Sequence, residues 1–289
     1  MSTNPDEKIA TSTRLQQLES TLDEFAKYDL PPQVQAAVQS IRLQVNQMAE
    51  ALEQAQSEAA AARQDKAKFV SVVTHELRLP LTSIKGYTDL LRQGIGGAVN
   101  DQQKSFLSIV RTNVDRMSAL ISDLSDMTYI QTGRLKLQPK SINIASLTEE
   151  VIQAWQAKFE EKSQQLSVEI EPGLPVSNID AARFNQVLGY FLSNANRYTP
   201  ADGRIVVRAC QWEGALRMEV QDNGIGISPE DLERIFTPFF RSDDDAVRQA
   251  PGWGLALHVA KLMVEIMGGQ IGVSSRLKEG SLFWFSLPL

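Results

Sequence analysis

The chain has 289 residues, 43% apolar and 22% charged, a globular balance with length for about two domains. A formal net charge of −6 argues against a broad nucleic-acid-binding surface, and one cysteine, Cys210, excludes an internal disulfide framework. Two histidines leave little for a zinc site, no run reaches the ~18 apolar residues of a membrane span, and Met1 to Thr13 lack a signal-type apolar region, so the chain reads as cytoplasmic without a membrane span.

Residues 1–33 form a polar N-terminus in which Leu15, Leu18, Leu22 and Phe25 predict a short amphipathic helix near 15–28. Asp29-Leu30-Pro31-Pro32 interrupts it. From Val34 the apolar positions step 4-3-4-3 through Val38, Ile41, Val45, Met48, Leu52, Ala55, Ala59 and Ala62. That heptad stripe predicts a coiled coil over 34–66, the alternative being one amphipathic helix lying on a domain. Lys66 breaks the stripe, and Phe69 and Val73 resume it. The helix continues to about Arg92, with a local kink at Pro80. Gly94, Gly96 and Gly97 make a break, Asn100 or Asp101 is an N-cap, and a second helix runs over about 101–131 to Thr132-Gly133. Its stripe holds Phe106, Val110, Val114, Met117, Ile121 and Leu124. Two such hairpins would close a dimeric four-helix bundle, so 67–135 is read as a dimerisation domain.

Beyond Pro139 the texture changes. Helical runs at 146–162, 180–197 and 255–267 alternate with β-rich pieces at 166–170, 204–210, 215–221, 270–275 and 282–288. Residues 140–289 are therefore expected to be an α/β domain with a mixed or antiparallel sheet. Polar residues 242–250 read as a mobile loop.

Four pieces can carry chemistry. His75 stands two residues past an inward position, so it points to solvent, where a neutral imidazole is nucleophilic. Glu76 beside it can take the ring proton. A zinc-protease reading fails because Leu79 stands where a second histidine would be needed. Near the end of a helix, Asn194 and Asn196 fall on different faces, and an amide oxygen suits a hard cation such as Mg²⁺ while Arg197 suits phosphate. Asp222-Asn-Gly224-Ile-Gly226-Ile227 follows a strand, where a carboxylate can accept from the amino group of a flat base and glycines admit close approach. Gly252-Trp-Gly254-Leu255 opens a helix, a setting for an anion. No Gly-Lys pair occurs, so a Walker P-loop is excluded. Alone, each piece also fits a bland alternative: a surface histidine, a polar helix end, a tight turn, a loop–helix junction.

Their order and spacing resemble the sensor histidine kinases of bacterial two-component systems, over about residues 65–289. His75-Glu76-Leu-Arg-x-Pro80 is similar to the phospho-acceptor box, and Asn194-Ala-x-Arg197-Tyr198 to the asparagine box. Asp222-x-Gly224-x-Gly226 and Gly252-x-Gly254-Leu255 resemble the two glycine boxes, Phe236-Thr-Pro-Phe-Phe-Arg241 the phenylalanine box, and Gly280-Ser281-x-Phe283 the terminal strand motif. The resemblance implies a parallel homodimer, an ATP-binding α/β sandwich of the Bergerat type, and ATP with Mg²⁺ as cofactors. It implies phosphorylation of His75 with Glu76 as acid/base, and transfer to an aspartate of a response-regulator receiver domain. It places Mg²⁺ on Asn194, the adenine amino group on Asp222, and Gly224, Gly226 and Ile227 around the base. Tyr198 would pack on the nucleotide, Arg197 and Arg241 would contact phosphates, and a lid over 242–251 would hinge at Gly252 and Gly254. The input partner is not legible.

Three departures carry expectations. Leu79 stands where relatives that dephosphorylate their partner carry Thr or Asn, so partner-phosphatase activity is expected to be weak. Tyr190 replaces a commonly seen asparagine one turn before Asn194, which would alter metal or phosphate contacts. Ala256 replaces the last glycine of the second glycine box, at the lid; His258 is read as structural. The competing readings are a degenerate dimeric scaffold that binds nucleotide, and a conformational ATPase related to Hsp90 or MutL.

Overall fold

A computed structural model describes residues 31–289; the helix expected near 15–28 lies outside them. The chain divides into two units, Met1–Phe69 and Val70–Leu289. Helix α1 (Pro32–Arg92) is common to both. It starts with a proline in the first turn, where a missing N–H costs nothing, and the Val34 and Gln35 amides bond back to the Pro31 carbonyl. The helix is continuous through Pro80. In the first unit Val34, Ile41 and Met48 of the heptad stripe are exposed.

The second unit holds the rest of α1, helix α2 (Asp101–Gln131) and an α/β domain. Asn100 caps α2 as expected, and Gln103 completes a reciprocal capping box: each residue's side chain accepts from the other's amide at 2.9 Å. Antiparallel α1 and α2 are joined by side-chain pairs at matching levels: Arg78 to Ser125 (3.3 Å), Lys85 to Asp115 (3.1 Å) and Asp89 to Arg111. The hairpin's own buried cluster is small, Leu81 with Val114 and Ile121.

The α/β domain has a five-stranded sheet in the order β2-β4-β5-β7-β6. Its strands are β2 (Gln165–Ile170), β4 (Arg204–Trp212), β5 (Ala215–Asp222), β6 (Gln270–Arg276) and β7 (Gly280–Pro288). Only β2 and β4 pair in parallel, so the sheet is mixed, one of the two arrangements that the sequence leaves open. Helices α3 (Ile144–Glu161), α4 (Ala181–Tyr198) and α7 (Ala256–Ile266) share the sheet's core. The buried row of α4, Phe184, Val187, Leu188, Phe191 and Leu192, has helical spacing, and its phenylalanines meet Phe283 and Phe285 of β7 at 5.4–5.9 Å between ring centroids.

Four short elements carry too few residues for a pattern to announce them. β1 (Lys140–Ile142) and β3 (Ser177–Ile179) make a two-stranded antiparallel sheet, and α5 is a single turn at Pro229–Leu232. Helix α6 (Asp245–Gln249) corrects the reading of 242–250 as loop throughout: Asp244 caps it by accepting from the Ala246 amide at 2.8 Å. Among the described residues no helix is long and apolar enough to cross a membrane.

Candidate functional site

Helix α4 divides its faces by chemistry. Opposite the apolar row, Arg183, Gln186, Tyr190, Asn194 and Arg197 recur at steps of three and four, so they form one polar stripe. Asp180 caps the start, accepting from the amides of Ala182 (3.1 Å), Arg183 (3.2 Å) and Gln138 (2.9 Å). At the other end the Lys162 ammonium donates to the carbonyls of Asn196, Arg197 and Thr199 at 2.7–3.1 Å, a cation on the negative end of the helix. Asn196 turns away from the stripe to Gln164 (2.7 Å) and the Lys158 carbonyl (3.1 Å). The two asparagines therefore do different work, as their spacing requires.

Strand β5 ends at Asp222, 9% exposed. Its Oδ1 accepts from the Gly224 amide at 2.8 Å. Burial raises its carboxyl above the ordinary carboxylate value, and the Gly224 and Ser281 amides pull the other way. The loop that follows is tied to α4: the Ile225 amide donates to the Tyr198 carbonyl. Gly226 has φ +68°, and a Cβ there would lie 1.9 Å from the Arg276 carbonyl oxygen, so only glycine fits.

The segment after Ile235 forms the outer wall. His258 Nδ1 donates to the Phe236 carbonyl at 2.9 Å, the structural task read from sequence, and the Phe239 amide donates to the Gly254 carbonyl at 2.8 Å. Arg241 holds the lid through its backbone: it donates to the carbonyls of Gly252 (2.7 Å), Ala250 (2.6 Å) and Val247. Its guanidinium is thus tied to three lid carbonyls at the edge of the cavity, with two N–H groups left over.

These parts enclose a cavity of about 1140 Å³. Asn194, Arg197, Tyr198, Asp222, Gly226, Ile227, Arg241, Gly252, Gly254 and Leu255 line it; Gly224 and Phe236 do not, but brace its walls. The mostly apolar lining with a few polar groups suits a nucleotide: a buried acceptor, apolar Ile227 and Leu255, cations and a glycine-rich helix start. The Asn194 side chain has no hydrogen-bond partner among the described residues and borders this space. One amide oxygen, with phosphates and waters completing the shell, fits Mg²⁺, which keeps several waters and dehydrates reluctantly.

The sequence reading missed the contribution of α2. Asn113, Arg116, Leu120 and Asp123 also line the cavity, at helical spacing. That row cannot be told from a solvated helix face without the tertiary contact. Tyr190, the departure beside Asn194, donates to Asp123 Oδ1 at 2.5 Å. His75 and Glu76 are not part of the cavity wall. His75 is 68% exposed, and its Nδ1 lies 3.2 Å from Glu76 Oε1. A carboxylate on Nδ1 fixes the proton there and leaves Nε2 as the nucleophilic nitrogen.

Known proteins match both parts. Residues 65–133 match the His Kinase A (phospho-acceptor) domain, and residues 179–289 match the family of histidine kinase-, DNA gyrase B- and HSP90-like ATPases. The sensor histidine kinase GacS of Pseudomonas protegens is 33% identical over 82% of this chain and 26% of its own length. The histidine protein kinase DivJ of Caulobacter vibrioides is 30% identical over 83% of this chain and 40% of its own. The chain thus spans between a quarter and two fifths of these relatives. A crystal structure of full-length ShkA in complex with AMPPNP is similar at a TM-score of 0.65 and 26% identity, over 76% of this chain and 45% of that one. With a phospho-acceptor domain followed by an ATPase domain in the same chain, the protein belongs to the sensor histidine kinases of two-component systems.

Proposed function

We propose that the protein is an ATP-dependent protein-histidine kinase that phosphorylates its own His75 and passes the phosphoryl group to an aspartate of a response-regulator receiver domain. The observation that carries this reading is one cavity gathering Asp222, Tyr198, Asn194 and the glycine-rich lid, in the same unit as an exposed His75–Glu76 pair. Asp222 accepts from the adenine amino group, Tyr198 and Ile227 flank the nucleotide, and Arg197 meets the phosphates. Mg²⁺ held by Asn194 would neutralise phosphate charge. His75 Nε2 attacks the γ-phosphorus, a P–N bond forms, the bond to the β-phosphate oxygen breaks, and Glu76 takes the Nδ1 proton. Arg241 positions the lid, with N–H groups left over for phosphate.

A second copy of the chain completes the bundle. Val72, Tyr87, Phe106, Ile109, Val110 and Met117 are exposed on a hairpin whose own core is three side chains, so most of its apolar surface awaits a partner.

The test is incubation with Mg²⁺ and γ-labelled ATP beside His75→Gln and Asn194→Ala. Acid-labile label in the wild type, lost in both variants, is expected. Nucleotide binding without labelling would leave a signalling scaffold, and ATP hydrolysis surviving His75→Gln would point to a conformational ATPase. Leu79, one turn after His75, is 58% exposed and apolar, so it cannot orient a water. Leu79→Thr is expected to speed dephosphorylation of a phospho-receiver; equal rates in the two proteins would refute that role.

A further inference from the structure

Helix α2 brings to the cavity a cation that the chemistry above does not use. Of the three basic residues of α2, Lys104 is paired with Asp101 at 3.0 Å, and Arg111 with Asp115 at 2.9 Å and with Asp89. Arg116 has no hydrogen bond or ion pair among the described residues, and it borders the cavity. Two carboxylates that share the cavity wall are engaged elsewhere: Asp123 accepts from Tyr190 at 2.5 Å, and Asp243 is paired with Arg248 at 2.6 Å. Across the cavity, on α4, the Arg197 guanidinium likewise makes no hydrogen bond and lies 5.9 Å from the centre of the Tyr198 ring. An unpaired arginine on an open helix face is ordinary. Two of them on different helices around one cavity, ten N–H donors with no acceptor, make a setting for an anion.

The register of the two helices says which part of a nucleotide Arg116 meets. Arg183 pairs with Asp126 and Tyr190 with Asp123, so α4 and α2 run in opposite senses. Beyond Tyr190 the next turns of α4 carry Asn194 and Arg197, and beyond Asp123 the next turns of α2 carry Leu120 and Arg116. All four line the cavity. Asn194 and Arg197 are the residues read as holding metal and phosphates, so Arg116 comes to the phosphate end and not to the base at Asp222.

We propose that Arg116 is a nucleotide-binding residue supplied by α2, which donates to the terminal phosphate and so distinguishes a nucleoside triphosphate from a diphosphate. The proposal rests on the nucleotide site of the kinase reading above. A triphosphate bound to Mg²⁺ remains anionic, and the guanidinium fork matches two oxygens of one phosphate group. Arg197 belongs to the α/β domain, which also holds the base, so it serves diphosphate and triphosphate alike. Arg116 approaches from the facing helix and has an acceptor only when the γ-phosphate is present.

The experiment is calorimetric titration of the full chain with Mg²⁺-AMPPNP, a triphosphate that does not turn over, and with Mg²⁺-ADP. Arg116→Gln is expected to weaken AMPPNP binding by about tenfold or more, the worth of a charged hydrogen bond, and to change ADP binding by less than about twofold. Arg116→Lys, which keeps the charge but not the fork, should recover part of the loss. Lys104→Gln removes the same charge from α2 outside the cavity and should leave both affinities unchanged. AMPPNP binding unchanged in Arg116→Gln would overturn the proposal. So would equal losses for AMPPNP and ADP, because a general loss of charge or of structure moves both. Wild type that binds neither ligand would overturn the nucleotide site itself and the proposal with it. A selective loss of AMPPNP in a chain whose His75 never takes label would keep Arg116 as a phosphate ligand and fail the kinase alone.

Discussion

Asp222 is a buried carboxylate whose remaining acceptor capacity faces the cavity. Replacing it with Ala is expected to weaken ADP binding about 10–100-fold, the worth of one charged hydrogen bond, measured by titration calorimetry. Gly254 tests the lid from the backbone side. Its φ is +71°, and a Cβ would lie 2.4 Å from the Phe240 carbonyl oxygen. Gly254→Ala is therefore expected to displace the lid and reduce nucleotide affinity, whereas Ala256 already sits in helix α7 with ordinary geometry. Asp123 makes a different prediction. Burial pushes its carboxyl up to about 6, against the pull of the Tyr190 hydroxyl, with Asp126 adding repulsion. A folded-state value above the unfolded 3.8 means that the ionised group costs stability, beginning as pH rises past 4 and complete above about 6. Asp123→Asn keeps an acceptor for Tyr190 and cannot ionise. Its stability relative to wild type should rise by up to about 3 kcal/mol between pH 4 and pH 7, read from urea midpoints. A pH-independent difference would contradict that origin.

At the scale of the element, α4 is where fold and site meet. One face packs on β7, the other carries the cavity residues and the polar side chains that meet Asp123 and Asp126, and both ends are satisfied by side chains from outside the helix. Asp180 serves three amides, two in the helix and one from Gln138. Asp180→Ala is expected to lower stability by about 2 kcal/mol, the upper range for a lost cap, and to loosen Asn194 with the helix. The cap position follows from a rule about residue types. The Lys162 contacts do not, because nothing in residues 146–162 says which carbonyls its ammonium will reach.

For the whole molecule, the exposed apolar rows of the hairpin are where the proposed second copy would pack. Val110→Glu places a charge on a face that a second hairpin would bury, and is expected to shift sedimentation from dimer toward monomer. Coupling between nucleotide and bundle then has a route, since α2 contributes to both the hairpin and the cavity wall.

Periodicity determined the long elements by itself: α1, α2, α4, α7 and the five main strands follow from apolar spacing and turn residues, to within a few positions. Ordered motifs likewise brought Asn194, Tyr198, Asp222 and both glycine loops to one cavity, because each motif lies at the end of an element whose direction the pattern implies. Tertiary structure alone decided which polar groups meet. Arg241 meets the carbonyls of Val247, Ala250 and Gly252 because the lid folds back over it in a short helix. Tyr190 finds Asp123 across a separation of 67 residues because α2 passes the polar stripe of α4. A polar residue at helical spacing reads the same whether it faces water or a carboxylate. Only the packing of one helix against another tells the two apart.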